Sequence, residues 1–186
     1  MRGKKSISAI DPRELRNAFG TYPTGVAVVT CRRSNGEMVG VTVNSFASLS
    51  LSPPLVSVAL HSAARHLPAF LESGTFAVNV LCTDQRELSS RFARPSECSW
   101  KDVLFCITSS GYVVLDEAAA SFLCRLFEQH AVGDHLLLVG EVKHFAYDVR
   151  AEPMAFLRGR YGSFRPAHTS QVDLTEIGPL PALGWG

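Results

Sequence analysis

Polar side chains are concentrated in residues 40–51, GVTVNSFASLSL, directly after an apolar run. Hydroxyl and amide groups recur there at Thr42, Asn44, Ser45, Ser48 and Ser50. If the chain stays extended, alternation puts Thr42 and Asn44, and then Ser48 and Ser50, on shared faces. Such a row can present hydroxyl, amide and backbone N–H donors to a flat heterocycle and a phosphate. The alternative is an edge strand with its polar residues in solvent, and residue types alone do not separate the two.

A second candidate site is the loop at residues 61–66, HSAARH, which precedes a predicted helix. The N–H groups at the start of a helix can hold an anion, and Arg65 can add charge-assisted hydrogen bonds to a phosphate. An arginine is slightly unfavourable at a helix start because of the helix dipole, so its presence there needs a reason. The alternative is an arginine that is simply exposed to solvent.

Gly133-Asp134-His135 is a third candidate. It can be no more than a turn that leads into a strand, and a lone histidine is more often structural than functional. Glu128, Glu141 and Asp134 are better explained as strand or turn residues than as an acid/base pair.

Other kinds of catalytic motif are missing from the sequence. A Rossmann dinucleotide site needs G-x-G-x-x-G between a strand and a helix, and an α/β-hydrolase needs G-x-S-x-G, and neither is present. No metal site is predicted, because His61, His66, His130 and His144 do not form a metal-ligand pattern.

The bulk composition is typical of one globular domain. A chain of 186 residues with 46% hydrophobic and 19% charged residues can bury a core without disulfides or metals. A net charge of +1 gives no broad attraction to nucleic acid or anionic membrane, and no apolar run has the length of a membrane span or the form of a signal peptide. Five cysteines without a C-x-x-C pair indicate free thiols. We therefore expect a cytoplasmic protein.

Short β-branched runs predict four strands in the first half of the chain. They occupy residues 26–31, 38–43, 54–60 and 76–81. Ser34-Asn35-Gly36 separates the first two runs, and Asn and Gly tolerate the positive φ of a hairpin turn. The first two strands are therefore predicted to be antiparallel neighbours.

Helices are predicted at three places. Asp11 offers an N-cap, followed by Pro12 in the first turn, for a helix that runs to about residue 19. Apolar residues at helical spacing predict a second helix that stops at Gly74. A third is predicted to begin with Thr83 as its N-cap and Asp84 in its first turn.

Two long apolar runs, residues 120–132 and 135–147, flank Gly133-Asp134 and predict a hairpin. Hairpin-linked strands with inserted helices indicate a mainly β protein, a closed or partly closed antiparallel barrel with peripheral helices. The predicted domain covers residues 11–165. It follows a flexible lead at residues 1–10 and precedes an extended tail at residues 166–186.

Several motifs resemble those of the short-chain flavin reductase family and occur in that family's order. They are Pro23-Thr24-Gly25-Val26, the G-x-T-x-N-S-F-x-S-x-S-L run of residues 40–51 followed by Pro53-Pro54-Leu55, F-A-V-N-V-L at residues 76–81, and Gly133-Asp134-His135. The resemblance extends from about Leu15 to Phe164. It implies a split-barrel flavin-binding fold, usually a homodimer, with FMN or FAD and NADH or NADPH as its nucleotides.

The resemblance also implies which residues bind the nucleotides. His135 is expected beside the nicotinamide as the catalytic residue, and Arg65 near the flavin phosphate. Tyr161 lies in a segment that resembles the family's closing G-x-Y element, although a terminal strand with solvated arginines explains it nearly as well. The full set of expected flavin contacts is Thr24, Thr42, Asn44, Ser45, Phe46, Ser48, Ser50, Leu51, Ser62, Arg65, Asn79 and Tyr161.

The activity implied by the resemblance is that of an NAD(P)H-dependent flavin oxidoreductase that supplies reduced flavin to a separate monooxygenase component. One alternative is a split barrel that binds flavin without turnover. His135 favours the oxidoreductase over this alternative. A pyridoxamine-phosphate-type oxidase shares the general barrel, but the G-x-T-x-N-S-F and G-D-H motifs point away from it. The sequence does not distinguish FMN from FAD or NADH from NADPH, and it does not name the oxygenase.

Overall fold

The computed structural model describes residues 9–94 and 99–165. The predicted tail at residues 166–186 lies outside these ranges, as does most of the predicted lead at residues 1–10. The described elements are, in chain order, α1 (Pro12–Phe19), β1 (Thr24–Gly25), β2 (Ala27–Arg32), β3 (Met38–Val43), β4 (Ala47–Leu51), β5 (Pro54–His61), α2 (Leu67–Ser73), β6 (Thr75–Val80), α3 (Arg86–Phe92), β7 (Phe105–Ile107), β8 (Val113–Leu115), β9 (Ala120–Val132), β10 (His135–Tyr147), β11 (Met154–Leu157) and β12 (Arg160–Ser163).

Seven strands form the main sheet in the order β3-β2-β6-β9-β10-β5-β4, and every pairing in it is antiparallel. The two edge strands, β3 and β4, are consecutive in the chain, and β3 also contacts β5. The sheet therefore curls until its edges approach each other and leaves a seam between them. The predicted mainly β, split antiparallel barrel is confirmed.

The main core lies inside this curled sheet. Alternate residues of β2, β3, β5 and β6 meet there with the apolar face of α2, including Val29, Val58, Val78 and Phe70. A second apolar cluster lies on the outer side of β2, where Val28 packs with Phe92 of α3 and Met154 of β11. Strand β2 is thus buried on both faces, which explains why its sequence is continuously apolar instead of alternating.

Two smaller sheets flank the barrel. Strands β1, β11 and β12 form a three-stranded antiparallel sheet, and β7 and β8 form a hairpin. The β11–β12 turn is joined to the end of α1, because the Arg158 N–H donates to the Gly20 carbonyl over 2.8 Å. This contact fixes the walls of a cavity that lies beside the seam.

The predicted strands and the first two helices are confirmed to within about one residue. Asp11 caps α1 by accepting a 2.8 Å hydrogen bond from the Arg13 N–H, and Gly74 ends α2 at φ +62°. The predicted start of the third helix is wrong: α3 begins at Arg86, not after Thr83. The Gln85 side chain accepts from the Cys82 N–H over 3.0 Å, and this contact holds a turn in place of a first helical turn.

The predicted shared faces along residues 40–51 are also wrong, because the chain bends at Asn44. Before the bend, Gly40 and Thr42 point to α3, and the residues between them face the main core. A side chain at Gly40 would lie 2.6 Å from the Phe92 ring, so the motif's glycine allows α3 to pack closely on β3.

Four cysteines within residues 9–94 and 99–165 are free thiols: Cys31, Cys82, Cys106 and Cys124. Across the same ranges, no group of three His, Cys, Asp or Glu side chains is arranged to hold a metal ion. None of the helices described in these ranges is long and apolar enough to cross a membrane.

Candidate functional site

The link between β3 and β4 is fixed by the Ser45 side chain. Its hydroxyl donates to the Ala59 carbonyl and accepts from the Ala59 N–H, and both contacts are 3.0 Å long. Because Ala47 pairs with Ser57 in these antiparallel strands, Ser45 lies opposite Ala59, two residues further along β5. The hydroxyl thus replaces the backbone pair, and residues 44–46 are held at a defined place beside β5.

Strand register brings this link to the same end of the sheet as the Gly-Asp-His turn. Ala59, which anchors Ser45, pairs with Leu137 of β10, and two residues further on His61 pairs with His135. Adjacent strands lie about 4.8 Å apart, so the Ser45 link and β10 are separated by about 10 Å. The residues between the two motifs in the sequence form the intervening strands, and folding brings the motifs together.

His135 is held by a hydrogen bond and a ring contact at the tip of the β9–β10 hairpin. Its Nδ1 lies 2.7 Å from Asp134 Oδ1, and its ring lies edge-on to His61 at a centroid distance of 5.3 Å. The His135 contact holds the pKa of Asp134 below its usual value. A carboxylate can only accept, so Nδ1 carries the proton and Nε2 points away from Asp134. The side chain of His135 is 44% exposed and therefore accessible to a ligand.

Two of the predicted flavin contacts line one cavity of about 770 Å³, which is in the range of nucleotide sites. Thr24 and Asn44 line it together with residues from the end of α1 and from the β11–β12 turn. Within the part of the chain that is described, Thr24 Oγ1 is buried and has no hydrogen-bond partner. An unpaired buried hydroxyl is costly, and a polar ligand in this cavity would relieve that cost. The donor set therefore fits a nucleotide.

Thr42 and Tyr161 are connected through α3 and do not face the Asn44 cavity. The Thr42 hydroxyl donates to the Ser89 carbonyl over 2.7 Å, and Ser89 Oγ lies 2.9 Å from Tyr161 Oη. The Arg86 guanidinium lies over the Tyr161 ring, 5.5 Å from its centroid. Tyr161 itself borders a separate cavity of about 620 Å³ on the other side of β11 and β12.

The remaining predicted contacts of residues 40–51 lie in different surroundings. Phe46 packs against the main core, with its ring centroid 5.4 Å from that of Phe122. Ser48 and Leu51 are exposed on the edge strand β4, and Ser50 Oγ accepts from the Ser52 N–H over 3.2 Å.

The loop after β5 is joined to the histidine turn. The Ser62 N–H donates to the Asp134 carbonyl over 2.9 Å, so Ser62 lies directly beside His135. Arg65 follows three residues later, exposed at the approach to α2. The structure therefore brings Ser62 to the histidine turn, a contact that the sequence did not predict.

Asn79 lies in the protein interior, away from both cavities. Its Nδ2 donates to the Val28 carbonyl and to Thr30 Oγ1, each over 3.1 Å. Its Oδ1 accepts from the Leu115 N–H over 3.1 Å and from Ser121 Oγ over 3.0 Å. All the hydrogen-bonding capacity of the amide is used by the fold, which favours a structural role over the predicted flavin contact.

Some site residues were not identified from the sequence. His61 begins the predicted loop at residues 61–66, but its pairing with His135 depends on the neighbours of β5, which no local pattern states. Arg16 and Tyr22 line the Asn44 cavity, but in the sequence they belong to an ordinary helix end. The only signal for them was their nearness in the chain to Thr24.

The architecture is a split antiparallel barrel with a cavity of nucleotide size lined by Asn44, and its strand register brings the link that contains Asn44 to the same end of the sheet as His135. The flavin reductase like domain matches residues 19–165, and the chain belongs to this family. The family resemblance predicted from the motifs is confirmed.

Relatives with assigned names agree with this membership. An FMN reductase (NADH) of Agrobacterium fabrum is 43% identical over 82% of this chain and 86% of its own length. The reductase component of a flavin-dependent trigonelline monooxygenase from Acinetobacter baylyi is 35% identical over 89% of this chain. The chain spans only about half the length of that relative (52%), and likewise of a probable flavin reductase of Rhizobium meliloti (50%).

A solved structure has the same fold. The NADH:FAD oxidoreductase of Streptomyces globisporus matches with a TM-score of 0.81 and 34% identity, over 88% of this chain and 99% of its own. The same protein in complex with NAD and FAD fragments matches with a TM-score of 0.79.

Proposed function

We propose that this chain is an NAD(P)H-dependent flavin oxidoreductase that reduces FMN or FAD and supplies the reduced flavin to a separate flavin-dependent monooxygenase. The observation that carries the proposal is the strand register that places Ser45, and with it Asn44, at the same end of the sheet as His135. Family membership and relatives named as FMN reductase (NADH) and NADH:FAD oxidoreductase support it.

The flavin wall in this proposal is built around Asn44. Its amide and the unpaired Thr24 hydroxyl supply hydrogen bonds from the cavity side, and the backbone at Ser45 and Phe46 is held rigidly by the Ala59 contacts. Ser48, Ser50 and Leu51 extend the wall along the exposed edge strand. Ser62 and Arg65, at the approach to α2, are proposed to contact the flavin phosphate. Thr42 and Tyr161 support the wall through Ser89.

His135 is proposed to orient the nicotinamide. Asp134 fixes the ring with its proton on Nδ1, so that Nε2 is directed to the ligand and can accept a hydrogen bond from a carboxamide. The bound flavin supplies the chemistry by accepting a hydride from the nicotinamide, and the protein contributes positioning. His61 packs against the His135 ring and limits its rotation.

A homodimer in the cytoplasm is part of the proposal. The outer parts of the β9–β10 hairpin expose four large apolar side chains, Phe127, Val132, Phe145 and Tyr147, of which the last two are about two-thirds exposed. Exposed apolar groups of this kind are typical of a surface that another protein covers. We propose a second copy of the chain as the protein that covers these side chains, because they lie on the β9–β10 hairpin, the longest feature of the fold.

The proposal is tested by following NADH and NADPH consumption with FMN and with FAD. Flavin-dependent consumption with at least one pair is expected. Flavin binding without consumption of either nicotinamide would support the alternative of a non-catalytic flavin-binding split barrel.

A further inference from the structure

The orientation of His135 depends on Asp134, whose side chain lies largely in solvent. Asp134 is 77% exposed, and its hydrogen bond to His135 Nδ1 uses only one of the two carboxylate oxygens. An exposed side chain that is held by a single contact changes rotamer rapidly. How firmly His135 is oriented therefore depends on what contacts the second oxygen.

The second oxygen of Asp134 faces His61. His61 Nε2 lies 3.9 Å from Asp134 Oδ2, while His135 Nδ1 lies 2.7 Å from Oδ1 of the same carboxylate. A distance of 3.9 Å is too long for a hydrogen bond, so the attraction is electrostatic. The His135 hydrogen bond is the main reason that the pKa of Asp134 lies below its usual value, and His61 adds to this effect. One carboxylate thus lies between two imidazole rings.

The proton of the His61 ring is fixed on the side that faces Asp134. The Ala63 N–H donates to His61 Nδ1 over 3.1 Å, so the neutral ring carries its proton on Nε2. An N–H, and not a lone pair, is therefore directed to the carboxylate. The Ser62 N–H also donates to the Asp134 carbonyl over 2.9 Å, which ties the loop after β5 to the turn. His61 is thus anchored by its own loop in an orientation that attracts Asp134.

Strand register explains why the two rings meet at this carboxylate. His61 ends β5 and His135 begins β10, and the two residues are direct cross-strand partners, so their side chains share a face. Their rings lie edge-on, with an interplanar angle of 69°. The side chain of His61 is 54% exposed, so packing in the core does not explain a histidine at this position.

We propose that His61 is a positioning residue of the nicotinamide site: it holds the Asp134 carboxylate by its second oxygen and so keeps the proton of His135 on Nδ1. His135 Nε2 then stays free to accept a hydrogen bond from the nicotinamide carboxamide. The inference rests on the proposed function, because it gives His61 a part in orienting the residue that is proposed to bind the nicotinamide. His61 acts through Asp134 and His135 and does not itself contact the nicotinamide.

Steady-state kinetics of three His61 variants, with FMN as the acceptor, separate the carboxylate contact from ring packing. His61→Ala should raise the KM of NADH about threefold, a size typical of one exposed charged contact, and leave kcat and FMN affinity unchanged. His61→Gln should have a KM close to that of the wild type, because its amide N–H can reach the carboxylate. His61→Phe keeps a ring without an N–H and should behave like His61→Ala.

Two controls show whether the effect passes through His135. In a His135→Ala background, His61→Ala should not change the KM of NADH any further. His130→Ala removes a histidine–carboxylate contact elsewhere on the hairpin, 3.0 Å from Glu128, and should change nothing. The urea midpoint should be the same in all three His61 variants, because the side chain is more than half exposed.

Several kinetic results would overturn the inference. They are an unchanged KM of NADH in His61→Ala, an equal loss of FMN affinity in that variant, a wild-type KM in His61→Phe, a raised KM in His61→Gln, and effects that add in the double variant. In each case the wild type would still reduce FMN, so the proposed function would stand without the role of His61.

Nitrogen NMR of isotope-labelled histidine rings tests the positioning without turnover. In the ligand-free wild type, the chemical shifts should place the proton of neutral His135 on Nδ1, and in His61→Ala the two tautomers should mix. The same tautomer in both proteins would overturn the inference. A protein that oxidises no NADH with FMN or FAD would refute the oxidoreductase, and mixed tautomers in His61→Ala would then still show that His61 positions His135.

Discussion

At the scale of single residues, the proposed site uses a histidine for the nicotinamide and an amide for the flavin. His135→Ala should raise the KM for the nicotinamide more than it weakens flavin binding, because Asp134 orients this ring toward the nicotinamide in our proposal. Asn44→Ala should do the reverse, because Asn44 lines the flavin cavity. The two effects are measured by steady-state kinetics and by flavin fluorescence titration.

The matched control for the histidine is His130→Ala. His130 lies on the same hairpin and also contacts a carboxylate, Glu128, at 3.0 Å, so its loss removes a similar histidine–carboxylate contact without touching the turn. We expect no change in either constant. Equal effects of His135→Ala and Asn44→Ala on both ligands would contradict the division of roles.

Asn79 tests whether a polar residue within a family motif serves the fold or the ligand. Asn79→Ala leaves several buried donors and acceptors unpaired and should cost about 3 kcal/mol of unfolding free energy. Ser121→Ala removes only one contact of the same network and should cost about 1 kcal/mol. Urea denaturation without flavin measures both. A stable Asn79→Ala protein with weakened flavin binding would instead establish the ligand role.

At the scale of elements, the close packing of α3 on β3 depends on Gly40. Gly40→Ala places a methyl group against the Phe92 ring and should destabilise the protein by about 1–3 kcal/mol, measured as a lower urea midpoint. Gly25→Ala is the control, since a side chain there meets nothing within 4 Å. Adding Phe92→Leu to Gly40→Ala should recover part of the loss, and no recovery would argue against this contact as the cause.

Much of the fold could be predicted from local patterns. The β-branched runs, the Asn-Gly turn and the Asp-Pro helix start are signals that a few adjacent residues carry, and the structure follows them. Strands β1, β7, β8, β11 and β12 span only two to four residues, too few to show a period of two. The start of α3 was predicted wrongly because Gln85 supplies a side-chain contact that competes with the cap expected at Thr83.

The site was less accessible to prediction than the fold. The motifs identified Asn44 and His135 singly, but their relation depends on β5 lying between β4 and β10, a long-range pairing that no local pattern states. Thr42 was placed on the same face as Asn44 because the chain was assumed to stay extended. The bend at Asn44 sends Thr42 to Ser89 instead.

At the scale of the whole molecule, two buried thiols make stability depend on alkaline pH. Burial raises the pKa of both Cys31 and Cys124 to about 12, against 9.0 for an ordinary thiol. Between pH 9 and 12 the unfolded chain releases these protons and the folded protein keeps them. Stability is therefore full below pH 9 and falls as the pH rises, by up to about 1.4 kcal/mol per pH unit for each thiol.

Urea unfolding across this pH range measures the effect. Cys31→Ala and Cys124→Ala should each flatten the decline, and Cys106→Ala should leave it unchanged, because Cys106 is exposed. Native Cys31 and Cys124 should also resist alkylation under conditions that modify Cys106. If the unfolding free energy declined with pH at the same slope in all three variants, groups other than these thiols would be the cause.

The central claim is that this barrel holds a flavin where a nicotinamide can reduce it. Mixing the protein anaerobically with FMN and NADH, and following the loss of the oxidised flavin's visible absorbance, tests it most directly. We expect bleaching at a rate that is proportional to protein concentration and that Asn44→Ala and His135→Ala each slow. Bleaching no faster than in protein-free solution, with FMN and with FAD, and with NADH and with NADPH, would contradict it.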